Sequence, residues 1–240
     1  MCGRRAKRIY THLVNEIESR YTRLRCLRDT PKGHVELLRH NGSGQQYIYK
    51  NHPGSAEVYR RLAGISCPYL PRVLDVAEAD GRVAVLEEYI SGMSLAEMLE
   101  GALFSPREAN IILRQICRGL WVLHGMNIVH RDIKPENIIL SRDRAVLVDF
   151  DASRIHTPDS CKDTRVLGTI GYASPEQYGL SQTDARSDIY ALGVLLNVML
   201  TGKLPTETLV RGHLGRVVQR CTMLAPEKRY KSILHLMESL

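Results

Sequence analysis

The chain has 240 residues, of which 44% are hydrophobic and 25% are charged. This length and composition allow one full core or two lobes, and they exclude an intrinsically disordered protein. No apolar run approaches the ~18 residues that a membrane span needs, and the first residues are too basic and too interrupted for a signal peptide. The six cysteines contain no C-x-x-C pair, which argues against a zinc site or a disulfide framework and predicts a cytoplasmic location.

The net charge of +7 is concentrated near the N-terminus, where residues 1–25 contain seven basic and two acidic side chains. Apolar residues recur there at intervals of three and four from Ile9 to Leu24, which predicts an amphipathic helix over residues 8–25. We therefore treat residues 1–25 as a basic helical segment whose apolar stripe must pack on the rest of the chain or on a partner. A basic surface can bind nucleic acid or anionic lipid. Because no nucleic-acid motif accompanies it, a solvated helix face is the simpler interpretation and nucleic-acid binding is not expected.

The segment that follows has the patterns of β-hairpins. Residues 35–38 and 47–50 are rich in strand-forming side chains and flank a turn at residues 41–44, whose asparagine and glycines tolerate positive φ. Residues 72–77 and 82–86 flank a second turn that contains Asp-Gly. The first third of the chain is therefore predicted to be rich in β-structure.

The rest of the chain is predicted to be mainly helical. Two capping boxes of the form S-x-x-E, at residues 94–97 and 105–108, mark the first turns of two helices. The second of these helices is predicted to run to about Gly125. A central apolar helix is predicted from Asp188 to Thr201, because a glycine follows at the position that commonly ends helices.

Two short motifs carry the polar residues that indicate chemistry. Residues 130–137 read H-R-D-I-K-P-E-N, and residues 148–151 read V-D-F-D, so that Asp149 follows Asp132 by 17 residues. A single acidic loop between apolar strands is usually a solvated turn. Eight ordered positions together with a second motif at this spacing argue against that interpretation.

The residue types in these motifs suit phosphoryl transfer, which needs metal ions, an aligned hydroxyl group and neutralised charge rather than covalent chemistry. Asp132 can orient an attacking hydroxyl group and accept its proton. Lys134 can stabilise a transferring phosphate as a point charge. Asn137 and Asp149 supply the oxygen atoms that Mg2+ prefers.

These motifs resemble the H-R-D-x-K-x-x-N catalytic loop and the D-F-G turn of protein kinases. The segment G-T-I-G-Y-A-S-P-E-Q-Y at residues 168–178 is most similar to bacterial Ser/Thr protein kinases, and the resemblance extends from about Leu27 to the C-terminus. It implies an α+β, bilobal fold with a small β-rich N-lobe at residues 26–90, including the hinge, and a larger helical C-lobe at residues 91–240. The implied activity is ATP-dependent phosphorylation of Ser or Thr in protein substrates, with ATP and Mg2+ as cofactors.

In the C-lobe, the resemblance makes Asp132 the catalytic base, Lys134 the residue that stabilises the moving phosphoryl group, and Asn137 and Asp149 the Mg2+ ligands. Ile139 would lie against the adenine ring. The resemblance also implies three supporting interactions: Thr169 contacts the catalytic residues, Glu176 pairs with Arg229, and Asp188 holds the backbone of the catalytic loop.

In the N-lobe, the resemblance makes Lys50 the strand lysine that binds the ATP phosphates and Glu57 the helix glutamate that pairs with it. The interval between the two residues is short, so this helix is expected to be abbreviated. The other implied ATP-binding residues lie in the glycine loop, on the lysine strand and at the hinge, and they are Gly33, Val35, Ile48, Glu88 and Ile90. Glu87 occupies the position before the hinge.

The sequence departs from the family pattern at several of these positions. The loop at residues 28–35 keeps only Gly33 and Val35 of the pattern G-x-G-x-x-G-x-V, Ile48 replaces the usual alanine, and Asp151 replaces the glycine of D-F-G. These changes leave open a pseudokinase, a nucleotide-binding scaffold with weak or no phosphotransfer. Every catalytic residue is present, so an active kinase is the leading hypothesis. A kinase-like small-molecule phosphotransferase fits less well, because such enzymes typically show H-G-D instead of H-R-D.

Arg131 precedes the catalytic aspartate, a feature that in the family often accompanies control by phosphorylation of the activation segment. Autophosphorylation candidates in that segment are Thr157, Ser160 and Thr164, of which Thr164 is favoured.

Overall fold

The computed structural model describes residues 2–31, 33–157, 169–178 and 182–240. The chain divides into two compact units, the first formed by Met1–Cys67 with Pro71–Ile90 and the second by Pro68–Leu70 with Ser91–Leu240. The first unit is β-rich and the second is mainly helical, which confirms the predicted α+β class. No helix among the described residues is both long enough and apolar enough to span a bilayer.

The first unit is a five-stranded antiparallel sheet with two helices. Its strands lie in the order β1-β2-β3-β5-β4. Its elements are α1 (Cys2–Arg20), β1 (Tyr21–Thr30), β2 (Gly33–His40), β3 (Gln46–Pro53), α2 (Glu57–Leu62), β4 (Val73–Ala79) and β5 (Arg82–Glu88). Both predicted hairpins are present, as the pairs β2–β3 and β4–β5.

Helix α1 ends earlier than the sequence predicted. The sequence pattern predicts a helix to residue 25 within a basic helical segment of residues 1–25, but α1 stops at Arg20 and residues 21–30 form β1. The physical reason is that β1 pairs with β2 from its first residue, where Tyr21 lies opposite His40. Leu24, which the helical spacing placed on the apolar stripe, is 38% exposed on this strand.

The apolar stripe of α1 packs on one face of the sheet. Leu13 and Ile17 are each only 3% exposed. They form a core with sheet residues, namely Leu38, Tyr49, Ala77, Ala84 and Leu86. The side-chain amide of Asn51 donates to the hydroxyl oxygen of Tyr10 over 2.8 Å. Because neighbouring side chains on a strand point to opposite faces, Lys50 points away from α1.

Helix α2 is only six residues long, as the short interval after Lys50 predicted. Its buried face consists of Val58, Tyr59 and Leu62. Glu78 of β4 anchors its first turn, since a carboxylate oxygen of Glu78 accepts from the backbone N–H of Ala56 over 3.0 Å. The helix therefore packs on the sheet through apolar side chains and one anchoring carboxylate.

The second unit is built around two long helices. Its helices are α3 (Leu95–Gly101), α4 (Pro106–Gly125), α5 (Ala185–Thr201), α6 (Gly212–Cys221) and α7 (Ile233–Glu238). Its short strands are β6 (Met93–Ser94), β7 (Ile128–Val129), β8 (Ile138–Ser141), β9 (Arg144–Leu147) and β10 (Arg154–Ile155). The predicted capping boxes begin α3 and α4.

Helix α5 is the apolar centre of this unit. Its buried positions lie on every side of the helix, as expected for a core helix. It ends at Gly202, which has a φ of 70° in the left-handed region. Residues 202–211 contain no helix before α6 begins. The first turn of α5 is buried in this core, and it carries Asp188.

Candidate active site

Asp188 holds the backbone of the catalytic loop, as predicted. Its buried carboxylate accepts from the backbone N–H groups of His130 and Arg131, each over 2.9 Å. Arg131 has a φ of 72°, an uncommon conformation for a residue with a side chain, which these two hydrogen bonds stabilise. Burial alone would raise the pKa of Asp188, but hydrogen bonding and charge interaction with His124 give a net pKa below its ordinary value.

His124 also holds the Asp188 carboxylate. Its Nε2 atom lies 2.8 Å from a carboxylate oxygen of Asp188. The sequence offered no local signal for this contact, because Asp188 lies 64 residues further along the chain.

Asp132 is held by three side chains at once. Its Oδ1 accepts from the hydroxyl of Thr169 over 2.8 Å. Its Oδ2 accepts from the side-chain amide of Asn137 and lies against the ammonium of Lys134, each over 2.9 Å. Lys134 also donates to the Thr169 hydroxyl oxygen over 3.0 Å. The structure therefore brings Asp132, Lys134 and Asn137 together, and it confirms the predicted contacts of Thr169.

The second motif lies beside the first. Residue 148 follows β9, and its backbone N–H donates to the backbone oxygen of Asn137 over 2.9 Å, which places Asp149 next to the catalytic loop. Phe150 is buried and packs edge-on against His130, with ring centroids 5.7 Å apart. The loop and the turn are therefore joined by both backbone and side-chain contacts.

The replacement of glycine by Asp151 causes no backbone strain. Among the described residues, a positive φ occurs at Asp149 (67°) and not at Asp151. Asp151 is exposed, and its backbone N–H lies 3.4 Å from an oxygen of Asp149. The turn therefore does not need glycine at this position.

Glu176 forms the predicted pair with Arg229. The two side chains meet in a bidentate arrangement, with N–O distances of 2.6 and 2.9 Å, and Ser187 donates to Glu176 over 2.7 Å. Burial opposes ionisation, but the hydrogen bonds from Arg229 and Ser187 hold the pKa of Glu176 below its ordinary value. Gln177, for which the sequence gives no local signal, donates to the backbone oxygen of Arg131 over 2.7 Å.

In the first unit, the prediction that Lys50 pairs with Glu57 is wrong. The ammonium of Lys50 lies 3.1 Å from a carboxylate oxygen of Glu87, and both side chains are almost completely buried. The side chain of Glu57 is 61% exposed and lies 3.4 Å from Arg61 on the same helix. The physical reason is the position of Glu57 at the first residue of α2, where the apolar side chains that follow take the buried face.

The residues expected to bind ATP on β2 and β3 lie close to Lys50. Val35 lies directly opposite Lys50 in the β2–β3 register, and Ile48, two residues before Lys50, shares its face of the sheet. Gly33 has a φ of 146°, and a Cβ atom there would lie 2.7 Å from the Cβ of His52. A glycine at this position is therefore required by close packing against β3.

The expected hinge residues end the first unit. Glu88 is the last residue of β5, and its backbone N–H donates to the backbone oxygen of Arg72 over 2.8 Å. Its carboxylate accepts from the side chain of Arg72. Ile90 is half-buried. In the second unit, Ile139 is half-buried on β8 and pairs with Ser94.

The donor atoms near Asp132 suit a magnesium ion. Among the described residues, no three His, Cys, Asp or Glu side chains cluster as a closed metal site. Asn137 uses its amide nitrogen for hydrogen bonds to Asp132, so its amide oxygen is the atom suited to a cation. One amide oxygen and the carboxylate of Asp149 match the way Mg2+ binds when phosphate and water complete its shell.

The predicted phosphorylation sites are only partly described. Thr157 is exposed, and its backbone oxygen accepts from Gln182 over 2.9 Å. Ser160 and Thr164 lie outside the described residues.

Comparisons with known proteins point to the same family as the sequence motifs do. The family model described as protein kinase domain matches residues 41–234. A serine/threonine-protein kinase of Myxococcus xanthus is 35% identical over 63% of this chain and 20% of its own length. The serine/threonine-protein kinase PknE of Mycobacterium tuberculosis is 35% identical over 69% of this chain and 31% of its own length. The serine/threonine-protein kinase PknB of Mycolicibacterium smegmatis is 38% identical over 61% of this chain and 25% of its own length. The chain thus aligns with about a fifth to a third of the length of these curated relatives.

Proposed function

Because the chain belongs to the protein kinase domain family, we propose that it transfers the γ-phosphoryl group of ATP to Ser or Thr hydroxyls of protein substrates. The observation that carries the proposal is the fixed orientation of the Asp132 carboxylate by Thr169, Lys134 and Asn137. A carboxylate held in this way can align a hydroxyl group without reorganising during the reaction. Since the reaction consumes ATP, we propose the cytoplasm as its location.

The proposed chemistry in the second unit needs four side chains. Asp132 orients the substrate hydroxyl and accepts its proton. Lys134, already 2.9 Å from Asp132, stabilises the negative charge of the moving phosphoryl group. Asn137 and Asp149 would hold Mg2+, which neutralises phosphate charge when bound.

In the first unit, we propose that Lys50 positions the ATP phosphates, supported by its burial and its ion pair. Val35 and Ile48 would contact the adenine ring. The backbone groups of Glu88 and Ile90 would bind the adenine edge, and Gly33 would allow the loop backbone to approach phosphate.

One observation favours the alternative, a nucleotide-binding scaffold with weak or no phosphotransfer. The loop at residues 28–35 keeps one glycine at the pattern positions, and packing against His52 already accounts for that glycine. ATP binding would be weaker because the loop backbone can come close to phosphate at fewer positions. If the loop is the only defect, the Michaelis constant for ATP rises while phosphotransfer persists.

The test is the intact mass of phosphatase-treated protein after incubation with Mg2+, ATP and a generic substrate such as casein. Asp132→Asn and Asp149→Asn should each reduce phosphate incorporation by about 10²–10⁴-fold. Asp143→Asn, an exposed aspartate in the β8–β9 turn, is the matched control and should retain activity. Nucleotide binding without transfer to any substrate would support the scaffold instead.

A further inference from the structure

We propose that Glu87 is the residue that positions Lys50, in the role that the family resemblance gave to Glu57. The effect of this pair on catalysis rests on the proposed function. The pairing itself rests on the geometry of β3 and β5, so it can be tested apart from phosphotransfer.

The first observation is where the two side chains lie. Ile48 of β3 lies opposite Glu87 of β5, and Lys50 lies opposite Val85. Lys50 and Glu87 are therefore diagonal neighbours on one face of adjacent strands, a spacing that long side chains can bridge. The ammonium nitrogen of Lys50 lies 3.1 Å from a carboxylate oxygen of Glu87.

The second observation is burial. The side chains of Lys50 and Glu87 are only 6% and 5% exposed. A buried ion pair adds little stability over an apolar pair, but removing one partner of such a pair is strongly destabilising. The Glu87 carboxylate is therefore one of the groups that hold the Lys50 ammonium.

The third observation is the contribution of α2. This helix places the ring of Tyr59 5.9 Å from the Lys50 ammonium, at a distance suited to a cation–π contact. Tyr59 is buried and lies beside His52. The helix therefore presents an aromatic face to the lysine, while Glu57 points to Arg61.

The position of Glu87 on a strand affects how the Lys50 ion pair can be controlled. Strands β3 and β5 are joined through seven residue pairs, from Tyr47 opposite Glu88 to Pro53 opposite Arg82, and β4 flanks β5 on its other side. A carboxylate on such a strand is fixed whenever the sheet is folded. Forming the Lys50–Glu87 ion pair therefore does not require a helix to move, because both residues lie on paired strands.

The catalytic test compares Glu87→Gln with Glu57→Gln, two changes that remove one charge and keep the shape. We expect Glu87→Gln to raise the Michaelis constant for ATP and to lower kcat/KM for ATP by about 10- to 100-fold, because a misplaced lysine no longer aligns the phosphates. Glu57→Gln should leave both constants within about twofold. A loss of active protein alone would lower kcat without changing the Michaelis constant. That result, or a loss in Glu57→Gln instead, would overturn the proposal.

A second test needs no activity. Urea unfolding of Lys50→Met, Glu87→Gln and the double variant forms a double-mutant cycle. We expect Glu87→Gln to lower the unfolding midpoint in the wild-type background and to have little effect in Lys50→Met, whereas Glu57→Gln should act equally in both. Equal effects of Glu87→Gln in both backgrounds would refute the pairing. If Glu87→Gln does not fold, a folded double variant supports the pairing and an unfolded one refutes it. Coupling without phosphotransfer would keep the pairing and reject the proposed function.

Discussion

The hydroxyl of Thr169 donates to the carboxylate of Asp132 over 2.8 Å while accepting from Lys134 over 3.0 Å. One side chain from the start of the segment at residues 169–178 thus joins Asp132 to Lys134, the two residues proposed to orient the substrate hydroxyl and to stabilise phosphate. We expect Thr169→Val, which keeps the shape and removes the hydroxyl, to lower kcat by about 10- to 100-fold, the range for losing hydrogen bonds to charged groups.

Steady-state kinetics with saturating ATP would measure this effect. Thr169→Ser retains the hydroxyl and should keep most of the activity. Full activity in Thr169→Val would show that Asp132 and Lys134 are sufficiently fixed by each other and by Asn137.

The Glu176–Arg229 pair should make the second unit sensitive to acid. Hydrogen bonds from Arg229 and Ser187 outweigh burial and lower the pKa of Glu176 below its ordinary value of 4.5. The unfolded chain therefore binds a proton more readily than the folded one. The resulting stability is present above pH 4.5 and is lost as the pH falls through the folded-state pKa.

We expect Glu176→Gln to reduce the free energy of unfolding at pH 7 by about 3 kcal/mol, because it leaves the buried Arg229 guanidinium without a carboxylate. Urea denaturation at pH 7, 5 and 3.5 would measure this. The difference in the free energy of unfolding between variant and wild type should shrink at the lowest pH. A difference that stays constant across the series would contradict the assignment of the acid sensitivity to Glu176.

His34 should give the first unit a pH dependence of opposite sign. Its ring lies 3.0 Å from Glu36 and 3.3 Å from Asp29, and Glu36 also pairs with Arg23. The hydrogen bond with Glu36 is the largest cause that raises the pKa of His34 above its ordinary value of 6.5. This stability is fully present below pH 6.5 and is lost as the pH rises through the folded-state pKa.

We expect wild-type protein to lose more thermal stability between pH 6 and pH 8.5 than His34→Gln does. Calorimetry across that range would measure the two slopes, with His213→Gln as a control in the other unit. Parallel slopes for wild type and His34→Gln would exclude His34 as the titrating group.

The packing of α1 on the sheet can be tested by truncating one buried side chain. Leu13→Ala should lower the free energy of unfolding by about 2–5 kcal/mol, because Leu13 is only 3% exposed in the core with the sheet. Ile9→Ala on the same helix is the matched control, since Ile9 is 50% exposed, and it should change the free energy by no more than about 0.5 kcal/mol. Similar effects of the two changes in chemical denaturation would argue against the packing of α1.

The grouping of Asp132, Lys134 and Asn137 in the second unit could be predicted because these residues sit close together in the sequence. Asp132, Lys134 and Asn137 are separated by fixed short intervals, and such intervals persist in the folded loop. His124 and Gln177 were not recognised, since their partners lie 64 and 46 residues away and no local pattern indicates them.

The errors in the first unit have a related origin. Tyr21 and Leu24 fit the helical stripe by spacing, but cross-strand pairing with β2 decides their conformation. The family resemblance points to Glu57 on the helix after Lys50, whereas the register of β3 with β5 supplies Glu87. Tertiary pairing overrode local spacing in both cases.

The packing of α1 also determines where the chain can be cut. A fragment that starts at residue 41, where the family match begins, would lack α1, β1 and β2. Tyr49, Ala84 and Leu86, which α1 and β2 help to bury, would then face water as an apolar surface that promotes aggregation. The evolutionary boundary of the match and the folding boundary of the first unit therefore differ, and a fragment made for expression should include α1.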